Sequence, residues 1–347
     1  MDNKFSKLRL AAVAAAATVG GAAILHTTPA LAVPATGTGT GIFTIKAGKA
    51  TWYLNNNITF ATTSSAWGFS EASLQTAANT RHDAYDGALS WHVNPSLPAN
   101  KSNGGYVSPG GTVDISPAYP TNAAVGTTVT ASPQTMVGLT VTGQLYFSPV
   151  KAVVRSMLIM QNPTGAPITV VVSNDTNLGS DNNTVVQQTS SGDAIFDNTD
   201  NWIVSSETPA PTTANDPILT FAYDGPGAAV HDVRDIQNTD SWYVHYTVTV
   251  PAGATRRLMV FSQLSDTVAH AETDALLFNS NVSLQGTDYL TGLTPTQQSE
   301  VVNWALAPLA PLVPGPALSP WSLFSLSGLI ALFGLAGAWF RQRQGSR

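Results

Sequence analysis

The stretch Trp242-Tyr243-Val244-His245-Tyr246-Thr247-Val248-Thr249-Val250 decides the fold. In an extended chain Trp242, Val244, Tyr246, Val248 and Val250 fall on one side, and Tyr243, His245, Thr247 and Thr249 on the other. That two-residue period is a half-buried β-strand. Pro251-Ala252-Gly253 turns the chain, and residues 258–264 come back. Residues 137–147 alternate around Leu139, Val141 and Leu145. Residues 153–160 are apolar apart from Arg155 and Ser156, the pattern of a strand buried on both faces. Asn162-Pro163-Thr164-Gly165-Ala166 is a turn into a strand at 168–172.

Helix signals come late. Val268, Ala271, Ala275 and Phe278 predict a helix over 267–278. Thr294-Pro295-Thr296-Gln297 combines a capping threonine, a first-turn proline and the Gln of a capping box. The chain is rich in Thr, Val, Ser, Asn and Gly between the termini, and no repeat of 20–50 residues runs through it. The expected class is all-β, a β-sandwich over 33–305 with one or two short C-terminal helices.

Charge and cysteine content exclude several functions. Residues 33–316 carry nine Lys or Arg against twenty Asp or Glu, a net charge of −11. Nucleic acid and anionic lipid need basic patches, so neither is an expected partner. The 347-residue chain contains no cysteine, which removes disulfides, thiolate chemistry and cysteine-based metal sites.

The termini read as addresses. Lys4, Lys7 and Arg9 precede an apolar run from Leu10 to Leu25. Pro29-Ala30-Leu31-Ala32 then supplies the small residues Ala30 and Ala32 of a signal-peptide cleavage site, giving a signal peptide over 1–32 and a mature end at Val33. Prolines 308, 311 and 314 recur every third residue, the period of a polyproline II stalk over 306–315. Residues 321–340 are uncharged, long enough to cross a bilayer as a helix, and end in Trp321 and Trp339. Arg341, Arg343 and Arg347 follow, which orients the precursor with its N-terminus outside and its C-terminus in the cytoplasm.

Gly315-Pro316-Ala317-Leu318-Ser319-Pro320-Trp321-Ser322 resembles the IPTL-type C-terminal sorting signal. Pro316, Leu318, Ser319 and Trp321 match it, and Gly315, Ala317, Pro320 and Ser322 depart. The resemblance implies a sorting tail over 316–347, with Arg341 and Arg343 as its basic end. It also implies a Gram-negative exporter whose exosortase-like transpeptidase cuts the tail and passes the protein to the cell surface. Signal peptidase is the other expected partner. Asn162-Pro163-Thr164-Gly165, Gly179-Ser180-Asp181 and Thr189-Ser190-Ser191-Gly192-Asp193 resemble stretches of uncharacterised bacterial secreted β-proteins, which carries no activity with it.

Candidate chemistry is sparse. His82, Asp83, Asp86 and His92 lie close in sequence, as do His231, Asp232 and Asp235; His82 and Asp86 would share one face of a helix for a metal, but solvated polar residues explain both groups better. Asp175, Asn177 and Asp181 offer oxygens of the kind a calcium loop uses, while an Asx-rich turn explains the same residues. Trp52, Trp67, Trp91, Trp202 and Trp242 are sugar-stacking candidates if exposed and core residues if not. No Gly-x-Ser-x-Gly elbow, phosphate loop or His-Glu-x-x-His motif occurs. The sequence therefore reads as an exported envelope or surface protein, structural or adhesive and non-catalytic, with no cofactor. A secreted carbohydrate-binding or carbohydrate-active protein is the alternative, with extracellular glycan or matrix as partner.

Overall fold

The computed structural model describes residues 42–55, 69–85, 89–96, 101–102, 105–106, 124–125, 128–130, 133–180, 183–207, 216–228, 234–237 and 241–306. The segments expected to be a signal peptide, a Pro-rich stalk and a sorting tail lie outside these residues. Among the described residues no helix is long and apolar enough to cross a membrane.

The strands, in chain order, are β1 (Ile42–Ala47), β2 (Ala50–Asn55), β3 (Phe69–Gln75), β4 (Thr80–Arg81), β5 (Ser90–Asn94), β6 (Lys101–Ser102), β7 (Gly105–Tyr106), β8 (Ala124–Val125), β9 (Thr128–Thr130) and β10 (Gln134–Met136). They continue with β11 (Leu139–Phe147), β12 (Val153–Gln161), β13 (Ile168–Asn177), β14 (Val185–Thr189), β15 (Trp202–Ser206), β16 (Ile218–Ala222), β17 (Arg234–Gln237), β18 (Ser241–Val250) and β19 (Thr255–Ser265). A nine-stranded antiparallel sheet runs β14-β15-β16-β19-β12-β11-β9-β8, with β10 also on β11. Two four-stranded sheets, β1-β2-β3-β4 and β17-β18-β13-β5, accompany it, and β6 pairs with β7.

The alternation in β18 sets the layers. Trp242, Val244, Tyr246, Val248 and Val250 enter one continuous core with Trp52 and Leu54 of β2 and with Val154, Leu158 and Val260 of the large sheet. Both four-stranded sheets thus share one core with the same side of the nine-stranded sheet. On β12 the intervening residues point the other way. Val153 joins Met259 and Phe261 of β19 in a second core, closed by Phe278, Tyr289 and Trp304. β12 and β19 are therefore buried on both faces, as the apolar run at 153–160 predicts.

The second core needs more helix than the sequence led us to expect. Its cover comprises α1 (Val268–Ala275), α2 (Asn281–Gln285), α3 (Pro295–Ser299) and two single 3-10 turns, Leu276–Asn279 and Asp288–Leu290. The capping box at 294–297 holds, and the helix expected over 267–278 is α1 continued by the 3-10 turn at Leu276–Asn279. Thr267 caps α1 by accepting from the His270 amide, and Thr294 and Gln297 form a reciprocal capping box with Pro295 in the first turn. The turn at 162–166 is built on buried Asn162, whose Nδ2 donates to the Ala166 and Val250 carbonyls at 2.7 and 2.9 Å. At the start of β11 the prediction is two residues long. Val137 and Gly138 take positive φ of 49° and 80° and form the turn from β10.

The chain closes against β19. The Arg257 amide donates to the Glu300 carbonyl at 2.8 Å, the Val302 amide to the Arg257 carbonyl at 3.0 Å, and Val301 forms a parallel bridge with Arg257. Buried Asn303 accepts from the Met259 amide at 2.9 Å and donates to the Met259 and Tyr223 carbonyls at 2.7 and 2.6 Å. Trp304 Nε1 donates to the Met259 carbonyl at 2.6 Å.

Candidate functional site

The sequence candidates separate in space. His82 and Asp83 are exposed just past β4, with Asp83 at a φ of 63°; Asp86 lies outside the described residues. His92 belongs to β5 and is buried, not part of a polar surface loop. Its partner across the sheet is Ser173, whose other neighbour is His245. The Ser173 hydroxyl and His245 Nδ1 are 2.9 Å apart. Strand register has joined two histidines that lie far apart in sequence into one buried row. Asp235 sits opposite Tyr243 on β17, and His231 and Asp232 lie outside the described residues.

The predicted calcium loop begins three positions too early. Asp175 and Asn177 are the last strand residues of β13, paired with Tyr243 and Ser241 of β18. Pairing outweighs their poor strand propensity, for Asp175 with both β18 and β5 and for Asn177 with β18. Asp181 lies outside the described residues. Among the described residues no group of three His, Asp or Glu side chains is placed to hold a metal.

The indoles form the interior. Trp52, Trp91, Trp202 and Trp242 are each at most 1% exposed, so these four present no stacking platform; Trp67 lies outside the described residues. Trp91 donates to the Ser156 hydroxyl at 2.8 Å, and Trp202 to Asn279 Oδ1 at 2.7 Å. Their amphipathic rings are satisfied inside the cores.

A cleft of about 410 Å³ opens where three elements meet. They are the β1–β2 turn at Lys49, the β11–β12 turn at 150–152, and α1 with its leading Asp266. Gly48 fits there because a Cβ would come within 3.0 Å of the Lys151 carbonyl, and its φ of 56° is one that glycine adopts freely. His270 Nδ1 lies 2.5 Å from Asp266 Oδ1, one helical turn away, and this contact, with a smaller contribution from Lys49, holds the Asp266 carboxyl below its usual range. Asp274 Oδ2 accepts from Gln263 Nε2 at 2.8 Å and lies 3.5 Å from Lys151 Nζ. Leu74, Val150 and Leu264 supply apolar lining. A second cleft of about 440 Å³ adjoins the first, shares the Lys151–Asp274 pair, and runs on to Asp288 and Tyr289.

Sequence reasoning missed this cleft. Asp266, His270 and Asp274 at four-residue spacing, just before and along the helix predicted over 267–278, were its legible part. Lys49 and Lys151 come from remote turns and leave no local signal.

The large sheet also buries charge. Arg155 Nη1 donates to the Tyr289 and Thr291 carbonyls at 2.7 and 3.2 Å, and its guanidinium lies 4.9 Å from the Tyr146 ring centroid. Burial pulls Arg155 down to about 10. Burial pushes Tyr146 up to about 12, and raises Tyr289 and Tyr85, the last bonded to the Ser262 hydroxyl. These shifts fix a pH response. Above about pH 10 an unfolded tyrosine releases its proton while the folded one keeps it, so unfolding loses protons and stability falls. Arg155 acts oppositely, since its folded form deprotonates first, but three tyrosines oppose one arginine. Stability should be flat up to about pH 9.5 and then fall by about 1.4 kcal/mol per pH unit for each net proton released. Urea melts of the full chain between pH 8 and 11.5, each an approximate bound set by the tyrosine range, would read this directly. Stability that rose over this range would refute the burial of the tyrosines.

No protein-family model matches the chain, and no curated protein matches it. Among solved structures, a polysaccharide lyase is similar over 63% of this chain and 34% of its own, at 11% identity and a TM-score of 0.37. A galactose mutarotase-like protein from Lactobacillus casei is similar over 65% of this chain and 100% of its own, at 12% identity and a TM-score of 0.37. Heparan sulfate lyase HepC from Pedobacter heparinus is similar over 68% of this chain and 37% of its own, at 11% identity and a TM-score of 0.33. The chain thus spans only a little over a third of either lyase. Likeness at this level carries no argument about the chemistry of this chain.

Proposed function

We propose that this chain is an exported cell-envelope protein whose β-domain acts structurally or in adhesion, without catalysis, and reaches the surface through its C-terminal signal. One observation carries the reading. The last described residues, 300–306, are stitched into β19 by the backbone bonds of Glu300 and Val302 and by Asn303 and Trp304. The first stalk proline, Pro308, follows two residues after Leu306. A domain whose last described residues are anchored on an interior strand, directly before a proline stretch, suits display on a tether. The burial of four indoles is consistent with a scaffold role.

The roles of the termini follow. Signal peptidase cuts after Ala32, residues 321–340 hold the precursor in the inner membrane with its N-terminus outside, and an exosortase-like transpeptidase recognises Pro316, Leu318, Ser319 and Trp321. In a host with that enzyme, mass spectrometry of released protein should find Val33 at the N-terminus and no peptide from the 321–347 segment. Released protein that retains the tail would remove the sorting step and leave a single-pass anchor.

A further inference from the structure

We propose that the paired clefts between the β1–β2 turn, the β11–β12 turn and α1 bind a neutral oligosaccharide, an inference that rests on the adhesive form of the function above. The argument begins with charge. Lys49 and Lys151 face Asp266 and Asp274 across the first cleft. The two lysines offset these two acids and the second cleft adds only Asp288, so the paired lining is nearly balanced, although residues 33–316 as a whole carry −11. A balanced lining gives no Coulombic preference to an anion or a cation.

Hydrogen-bonding capacity narrows the class. Asp274 is fixed through Oδ2 by Gln263 and Lys151, and its Oδ1 takes no hydrogen bond among the described residues. His270 is held through Nδ1, and its Nε2 makes no hydrogen bond among the described residues. The Lys49 ammonium likewise has no hydrogen bond there, and Lys151 keeps donors beyond its contact with Asp274. The cleft therefore offers an acceptor, an imidazole nitrogen and two ammonium donors, with Leu74, Val150 and Leu264 beside them. Sugar hydroxyls both donate and accept, and the C–H faces of a sugar ring suit aliphatic contact. Fixed polar groups in a mostly preformed, partly apolar concavity are what such a ligand requires.

Continuity sets the length. The Lys151–Asp274 pair lies at the junction of the two clefts, and Val150, exposed at 70%, lines both. A linked chain of several rings follows both clefts past that pair toward Asp288.

The test uses the full chain in detergent micelles. The probes are cellohexaose, laminarihexaose, maltohexaose and xylohexaose, with hexagalacturonate as the acidic comparison, read by saturation-transfer NMR and titration calorimetry. At least one neutral probe should bind with a Kd of about 1 mM or tighter. Asp274→Asn and Lys49→Met should each weaken that binding about tenfold or more, and His82→Ala, away from the cleft, should not. Lys49 is exposed on a turn, so its variant reports on binding even if Asp274→Asn fails to fold. No saturable binding of any neutral probe, binding of hexagalacturonate alone, or neutral binding that survives Lys49→Met would each overturn the proposal. None of these outcomes bears on tail processing, which mass spectrometry decides separately.

Discussion

Val248→Asp should leave the chain unable to form its β-domain. Val248 is 2% exposed, pairs with Val170 of β13, and faces the core shared by all three major sheets. A carboxylate there has no cationic partner among the residues of that core. Burying it ionised, or neutralising it first, costs several kcal/mol, on the order of the whole stability of an ordinary domain. Thr247→Asp supplies the control. Thr247 is the next residue, points to the opposite face and is exposed, so its variant should stay within about 0.5 kcal/mol of the parent. Circular dichroism and limited proteolysis of both full-length variants would show the contrast. If Val248→Asp melts like the parent, the two faces of β18 have been assigned the wrong way round.

Trp304→Ala is the next largest expected loss. The indole is 1% exposed, stands edge-on to Phe261 at 5.3 Å between centroids, and lies 6.1 Å from Phe278. Gly225 lies beneath it, where a Cβ would approach the indole to 2.4 Å, so the neighbouring backbone is already packed against the ring. Truncation removes that area and leaves a cavity that close packing cannot readily collapse, at a cost of about 3–5 kcal/mol. The Met259 carbonyl would keep Asn303 as a donor, so no buried acceptor is orphaned. Trp304→Phe should recover part of the loss. A thermal midpoint for Trp304→Ala about 10 °C below the parent is expected for a domain of this size. An unchanged midpoint would mean that the second core does not depend on its closing residue.

The strands that were legible share one property: their neighbours are apolar in a simple period. β18 alternates and β12 is apolar apart from Arg155, Ser156 and its terminal Gln161, so both could be read without partners. β13 was legible only to Val172, because Ser173-Asn174-Asp175-Thr176-Asn177 has the composition of a turn. Its strand state comes from β18 and β5 on either side, and β5 lies some eighty residues upstream. The same long-range pairing brought His92 beside His245 and made the polar neighbourhoods poor guides to a site. α2 escaped notice because Asn281–Gln285 is too short to show a helical period, and Ser280 reveals itself as a cap only once the helix is known. The cleft was half visible, as acid and imidazole spaced along α1, while its lysines come from two turns about a hundred residues apart.

The C-terminal seam has a mechanical meaning. Many chains leave a sheet from an edge strand, where a pull unzips hydrogen bonds one at a time. Here the chain leaves from beside β19, which sits inside the nine-stranded sheet between β16 and β12. Traction applied beyond Leu306 would first load the parallel contact at Val301 and the Asn303 and Trp304 anchors on Met259. It would then spread laterally through the long β12 ladder and the shorter β16 ladder, so the domain would resist as a unit where an edge exit would peel.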